Sequence, residues 1–255
     1  MISHFYQRKG KLETKEDSLT SLTFDGLKHL PDDLFWSVLN SSLIVGNLPN
    51  ITFIEEISFW QHWNAEETSN SRYVEPDVFI RTENFDVIIE AKRWDKNQQS
   101  KSQMEDQIKA YFNEFGEENK KLYYIQLGGL YSTDFIDNYI YKSLEVMICK
   151  TNWTQLLKSI VKHHQNLESP NSHSSNPQKR ILEDIIKGFE LHQFYTMKWF
   201  GDMPSQKINS TIFDFYKFTK DSDTSSLFRP LKNLTQINIT NTTTNNLFQY
   251  ARPTQ

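Results

Sequence analysis

The chain has 255 residues, 37% hydrophobic, 14% aromatic and 24% charged, with 8 Gly and 8 Pro. This fits one large domain, or a core with a smaller appendage, and excludes collagen-like and low-complexity chains. The formal net charge is only -4, and no apolar run approaches the ~18 residues a membrane helix needs.

The amino terminus, residues 1–9, carries no apolar signal core, so a cytoplasmic protein with no membrane partner is expected. The single cysteine, Cys149, lies in the apolar run Val146-Met147-Ile148-Cys149. One cysteine excludes an intrachain disulfide framework and a cysteine-built zinc site, and this one reads as a small core residue on a strand. Charge is uneven. Residues 1–149 hold 15 Lys and Arg against 24 Asp and Glu, and residues 150–255 hold 13 against 8. An acidic half suits metal binding and a basic half suits a polyanion.

Residues 12–48 read as helical, with Leu19, Leu22, Leu27 and Leu30 near helical spacing and a second helix opening at Pro31-Asp32-Asp33. Residues 51–63 alternate as a strand, 64–72 form a polar loop, and 74–80 form a second strand. Residues 86–92, apolar in the middle, read as a central strand. An amphipathic helix over 102–115 ends at Gly116, and strand 122–127 is closed by Gly128-Gly129. Residues 133–141 read as helix, 144–149 as a fifth strand and 153–167 as helix. The order predicts an α/β fold with a core over 1–167 and a linker-like loop over 168–179. An accessory region over 180–255 is expected, first helical and then strand-like at 211–218 and 235–239.

Pro76-Asp77 falls in the second strand, and Glu90-Ala91-Lys92 ends the next. Residues two apart in a strand share a face, so Glu90 and Lys92 project together. A hairpin pairing would set Asp77 beside Glu90. Two hard carboxylates suit Mg2+, and an adjacent ammonium can orient a nucleophilic water or stabilise developing charge. No phosphate-loop glycine motif and no G-x-S-x-G elbow is present.

Pro76-Asp77 with Glu90-Ala91-Lys92 resembles the PD-(D/E)xK nuclease superfamily. The resemblance implies a restriction-endonuclease-like core, a central mixed β-sheet flanked by helices, over roughly residues 10–165. It implies Asp77 and Glu90 as metal ligands, the Ala91 carbonyl as a further ligand and Lys92 as the catalytic lysine. The cofactor would be Mg2+, with Mn2+ as a substitute. Gln107-Ile108-Lys109-Ala110-Tyr111 looks like the extra Q-x-x-x-Y motif of RecB-like nucleases, which implies that Gln107 and Tyr111 flank the site and help position DNA. Several branches place a metal-binding acid on the first helix; Glu16 is the choice here, with Glu13 and Asp17 as rivals.

The expected function is phosphodiester hydrolysis, in DNA with RNA as the other polymer, serving restriction, repair or anti-phage defence. A homodimer, or assembly with another subunit, would let two sites cut two strands. The alternative is a catalytically silent nucleic-acid-binding or assembly subunit on the same fold. Lys158, Lys162, Lys179 and Arg180, in the basic half, are the expected phosphate contacts. His163-His164, with His173 nearby, read as a solvated helix end, Trp60, Trp63 and Trp94 as core residues, and Glu56 and Glu75 as strand-face acids.

Overall fold

The computed structural model describes residues 5, 7, 9–10, 13–94, 98–130, 138–142, 144–167 and 176–195. Two helices come first, α1 (Glu16–Leu27) and α2 (Asp32–Ser42). The strands β1 (Ile54–Phe59), β2 (Trp63–Asn64), β3 (Tyr73–Val74), β4 (Val78–Thr82) and β5 (Phe85–Ala91) follow. Helix α3 (Lys101–Phe115) leads to β6 (Lys121–Leu127), β7 (Tyr139–Tyr141) and β8 (Leu144–Thr151). Helices α4 (Trp153–Asn166) and α5 (Asn176–Leu191) complete the described fold.

The main sheet has six strands in the order β1-β4-β5-β6-β8-β7. It is mixed: β1 to β4 and β4 to β5 are antiparallel, β5 to β6 and β6 to β8 are parallel, and β7 closes the edge antiparallel. Every residue of β5 is buried, which is why its apolar run marks it as central. Alternation along β5 divides the core. Phe85, Val87, Ile89 and Ala91 join the cluster built with α1, α2, α4 and α5, whereas Ile88 joins the cluster under α3. The helices start where the chain supplies caps. The Ser100 hydroxyl accepts the Gln103 N–H at the head of α3, and Asn152 Oδ1 accepts the Gln155 N–H at the head of α4.

Several expectations are corrected. The strand read over 51–63 is broken at Trp60, whose φ of 47° turns the chain. Trp63 therefore leaves the main sheet and pairs in the small β2–β3 sheet, under α3. Pro76 and Asp77 lie between β3 and β4 rather than within one strand, because proline has no N–H to give a ladder. Residues 139–141, read as the end of a helix, form edge strand β7; residues 131–137 lie outside the described residues. The helix after the loop begins at Asn176, and its Leu182, Ile185 and Phe189 belong to the main core beside Leu19, Leu27 and Trp153. The accessory region read from residue 180 thus opens with a helix that closes the core. The loop over 168–175 and the strand-like pieces at 211–218 and 235–239 lie outside the described residues. Among the described residues, no helix is long and apolar enough to cross a membrane.

Helix α5 reaches α1 because both supply a glycine at the crossing. A Cβ on Gly188 would lie 2.1 Å from Leu22 Cδ2 and 2.7 Å from its Cγ, and one on Gly26 would lie 2.6 Å from Ile185. Gly188→Val is expected to lower stability by about 1–3 kcal/mol. Urea unfolding checks it: a variant as stable as the native protein would mean that the two helices part without cost.

Candidate active site

Strands β4 and β5 pair with Val78 opposite Ile89 and Phe79 opposite Ile88. One step along this register sets Asp77 opposite Glu90, on the face shared with Phe79 and Ile88. Asp77 Oδ2 accepts the Ala91 N–H at 2.8 Å, and its Oδ1 accepts the Trp60 indole N–H at 3.2 Å. Glu90 is 2% exposed. Its Oε1 accepts from the Lys92 ammonium and, at 2.7 Å, from the Gln103 amide. Its Oε2 accepts from Gln107 Nε2 at 2.7 Å. Gln107 is itself oriented, because its Oε1 accepts the Tyr124 hydroxyl at 2.6 Å, which turns its NH2 toward Glu90.

Glu16, the first residue of α1, closes the cluster. Its Oε1 lies 3.5 Å from Lys92 Nζ, and its Oε2 accepts the Arg93 N–H at 2.7 Å. Of its rivals, Glu13 pairs with Lys15 in solvent and Asp17 is exposed. The segment carrying Lys92 is held tightly. The Lys92 N–H donates to Leu127 O at 2.7 Å, and Lys92 O accepts the Trp153 indole at 2.9 Å. A Cβ on Gly128, where φ is +71°, would come within 2.1 Å of Lys92 O, so only glycine allows the turn after β6 to press on this backbone. Gln99 Nε2 bridges Glu90 O and Gly128 O at 3.1 and 3.0 Å.

The electrostatics follow from burial and crowding. Burial, then repulsion from Glu90, pushes Asp77 up to about 7. Burial raises Glu90 as well, against the pull of Lys92. Burial alone would lower Lys92, but Glu90, Glu16 and Asp77 together hold it above its ordinary value. Three carboxylates thus face one ammonium in a partly buried site, an excess of acid that favours a proton or a cation.

The structure brings Asp77, Glu90, Lys92, Glu16 and Gln107 together, and Ala91 meets Asp77 through its N–H. It does not bring Tyr111. That side chain is 1% exposed, packs on Trp63 and Phe79, and donates to Asp86 Oδ2 at 3.0 Å, at the other end of β5. The i,i+4 spacing of Gln107 and Tyr111 does put them on one face of α3, but Glu90 and Asp86 are spaced alike along β5, so each meets a different acid. Gln107, 1% exposed, reaches the site as a support for Glu90 rather than as a surface group.

Lys158 and Lys162 are exposed on α4, and Lys179 and Arg180 lie in the first turn or so of α5. The other end of α5 meets the site, where Arg93 Nη2 donates to His192 O and Nη1 to His192 Nδ1, each at 3.0 Å. Burial, then Arg93, lowers His192 to about 4, which keeps it a neutral acceptor. About twelve residues of helix, roughly 18 Å, therefore separate Arg180 from that end. His163 and His164 are tied to Ser37, Ser159 and Glu183, and Glu75 to His62; His173 lies outside the described residues. Cys149 is 1% exposed, and burial pushes its thiol up to about 11.

Trp60 and Gln103 join the site without having been read there. Gln103 carried a usable signal, since Gln103, Gln107 and Tyr111 repeat every fourth residue. Trp60 carried none, because its backbone turn is not visible in a hydrophobic alternation. Among the described residues, no group of three or more His, Cys, Asp or Glu is gathered in a form that could hold a metal ion.

Fold and site together define an α/β protein whose mixed sheet carries a partly buried acid–lysine cluster at the carboxyl end of its central strand, the end where α/β sheets bind ligands. No family model matches the chain, and no solved structure matches it. It is similar to an uncharacterized protein of Pasteurella multocida (strain Pm70), 27% identical over 209 residues that cover 78% of each chain.

Proposed function

We propose that this protein is a divalent-metal-dependent nuclease of the PD-(D/E)xK type on a restriction-endonuclease-like core, acting on DNA. The observation that carries the reading is the convergence of Asp77, Glu90 and Lys92 at one end of two adjacent antiparallel strands. The donor set fits Mg2+. A buried carboxylate, Glu90, and a partly buried one, Asp77, both raised by desolvation, offer hard oxygens and an uncompensated charge, while Gln103 and Gln107 keep Glu90 from rotating away. Asp77 and Glu90 would hold the ion, with the Ala91 carbonyl as a further oxygen; Glu16, turned to Lys92 and the Arg93 N–H, is not gathered with them as a third carboxylate ligand.

A bound Mg2+ or Mn2+ supplies Lewis-acid neutralisation of the charge that develops on the phosphoryl oxygens. Lys92 is held by Glu90 and Glu16 with its ammonium intact, so it donates to a phosphoryl oxygen or orients the attacking water. Tyr124 and Gln107 hold Glu90 in place, so the site pays little reorganisation when substrate arrives.

The test is incubation of plasmid, linear and single-stranded DNA with the protein in Mg2+, Mn2+ or EDTA, beside Lys92→Ala. Cleavage is expected with either metal, none in EDTA, and a loss of about 10²–10⁴-fold in the variant. Circular dichroism verifies its fold. Equal cleavage by the native protein and a folded Lys92→Ala would refute the assignment.

A further inference from the structure

A cavity of about 260 Å3 opens beside the acid–lysine cluster, between the β2–β3 loop and the first turns of α3. Ser69, Asn70 and Glu75 line one side, and Ser102, Gln103 and Asp106 the other. It shares a wall with the cluster, because Gln103 and Gln107 both line the cavity and both donate to Glu90 at 2.7 Å. Whatever fills it sits one amide group away from Glu90.

Size and charge restrict the occupant. The volume falls below the ~300 Å3 where sites for drug-sized ligands begin, which is the scale of one ring system. No Lys or Arg lines it, and the two ionisable residues that do are acids. Asp106 is 7% exposed and accepts the Ser69 N–H at 3.1 Å and the Ser69 hydroxyl. Glu75 stands at the rim, 2.9 Å from His62. A phosphate would be repelled from such a wall, so the part of a nucleic acid that can enter is a base. The wall is also rich in acceptors. Each Asp106 oxygen keeps a second lone pair, and Glu75, Asn70 and Gln103 add further oxygens. Such a wall matches an exocyclic amino group, which presents two N–H donors, better than the carbonyl oxygen that thymine and uracil carry at C4.

We propose that this cavity receives a nucleobase bearing an exocyclic amino group, from the nucleotide beside the phosphate at the cluster. The identity of the polymer rests on the nuclease reading. The protein then acts on an unpaired or extruded base, and it prefers cytosine, adenine or guanine to thymine or uracil. Exposed rings stand close to both parts of the site in sequence. Tyr73, 42% exposed and stacked on His62 at 3.7 Å, precedes Glu75 by two residues. Trp94, 51% exposed, follows Lys92 by two. They offer faces on which neighbouring bases of a single strand stack.

Fluorescence anisotropy with single-stranded oligo(dC) and oligo(dU), in Ca2+ buffer, tests the amino group, because cytosine presents a C4 amino group beside an N3 acceptor where uracil presents a C4 carbonyl beside an N3–H. The native protein is expected to bind oligo(dC) about ten-fold more tightly. Asp106→Asn removes one acceptor, and Ser102→Trp fills the mouth from an exposed position; each should bring the two affinities to within about two-fold. Equal affinities in the native protein, binding to neither strand, or a preference that survives both variants would overturn the inference. Cleavage without base preference leaves the nuclease standing and removes the base site. A preference for oligo(dC) without cleavage in Mg2+ or Mn2+ keeps the site and removes the nuclease.

Discussion

Asp77→Asn is expected to reduce DNA cleavage by at least ~100-fold, because even outer partners of a metal site cost 10–100-fold when removed. The same substitution should leave the metal-free protein as stable as the native one at neutral pH, or more stable. Asparagine keeps an oxygen for the Ala91 N–H, and removing a charge that stands against Glu90 in a partly buried site offsets the loss of the longer, 3.2 Å bond from the Trp60 indole. A loss of function accompanied by a gain in stability separates a metal ligand from a structural acid. Asp86, for comparison, is bound by Tyr111 and flanked by Arg81 and Lys120, so its removal should cost stability. Activity and urea unfolding of Asp77→Asn check the pair of outcomes. A variant that cleaves at the native rate, or that is destabilised at neutral pH, would deny Asp77 the role.

The second large effect is on stability against pH. Asp77 rises from 3.8 to about 7 in the folded protein, for the burial and repulsion already given. Between those values the native state keeps a proton that the unfolded chain has lost. Stability contributed by this group is therefore full below 3.8 and falls as pH rises toward about 7. Glu90, raised by burial, acts in the same direction. In EDTA, the native protein should lose a few kcal/mol, to order of magnitude, relative to Asp77→Asn as pH rises from about 4 to about 8. Adding Mg2+ should restore the loss at the alkaline end, since a ligand that binds only the native state stabilises it. Thermal melts of both proteins across that range, with Mg2+ and with EDTA, provide the measurement. A native protein that gains on Asp77→Asn as pH rises in EDTA would contradict the raised value. A Mg2+ effect equal in the two proteins would contradict the ligand.

Much of the site could be read from the chain because its central part is local. The run Val87-Ile88-Ile89 marks a buried strand, and period two places Glu90 with Ile88 rather than with Ile89. The tight connection before Phe85 sets the β4–β5 register, so the pairing of Asp77 with Glu90 follows from counting residues. The amphipathic stripe of α3 is legible for the same reason. What it meets is not. Helical spacing puts Gln107 and Tyr111 on one face, but the crossing of α3 over β5 decides that Gln107 finds Glu90 while Tyr111 finds Asp86.

The chain's own periodicities thus specify an α/β core, a central strand ending in Glu90-Ala91-Lys92 and an acid one register step away. These are set by contacts between residues a few positions apart, where side-chain alternation and steric preference leave little choice. The tertiary structure decided the rest of the cluster. Glu16 arrives from α1, 76 residues before Lys92, and Trp60 reaches Asp77 through a left-handed turn. Helix α5 joins the core only because Gly188 and Gly26 let two helices approach. Such meetings depend on how whole elements cross and how closely they pack. No local pattern carries that information, because the same amphipathic helix buries its apolar face equally well at several angles and depths.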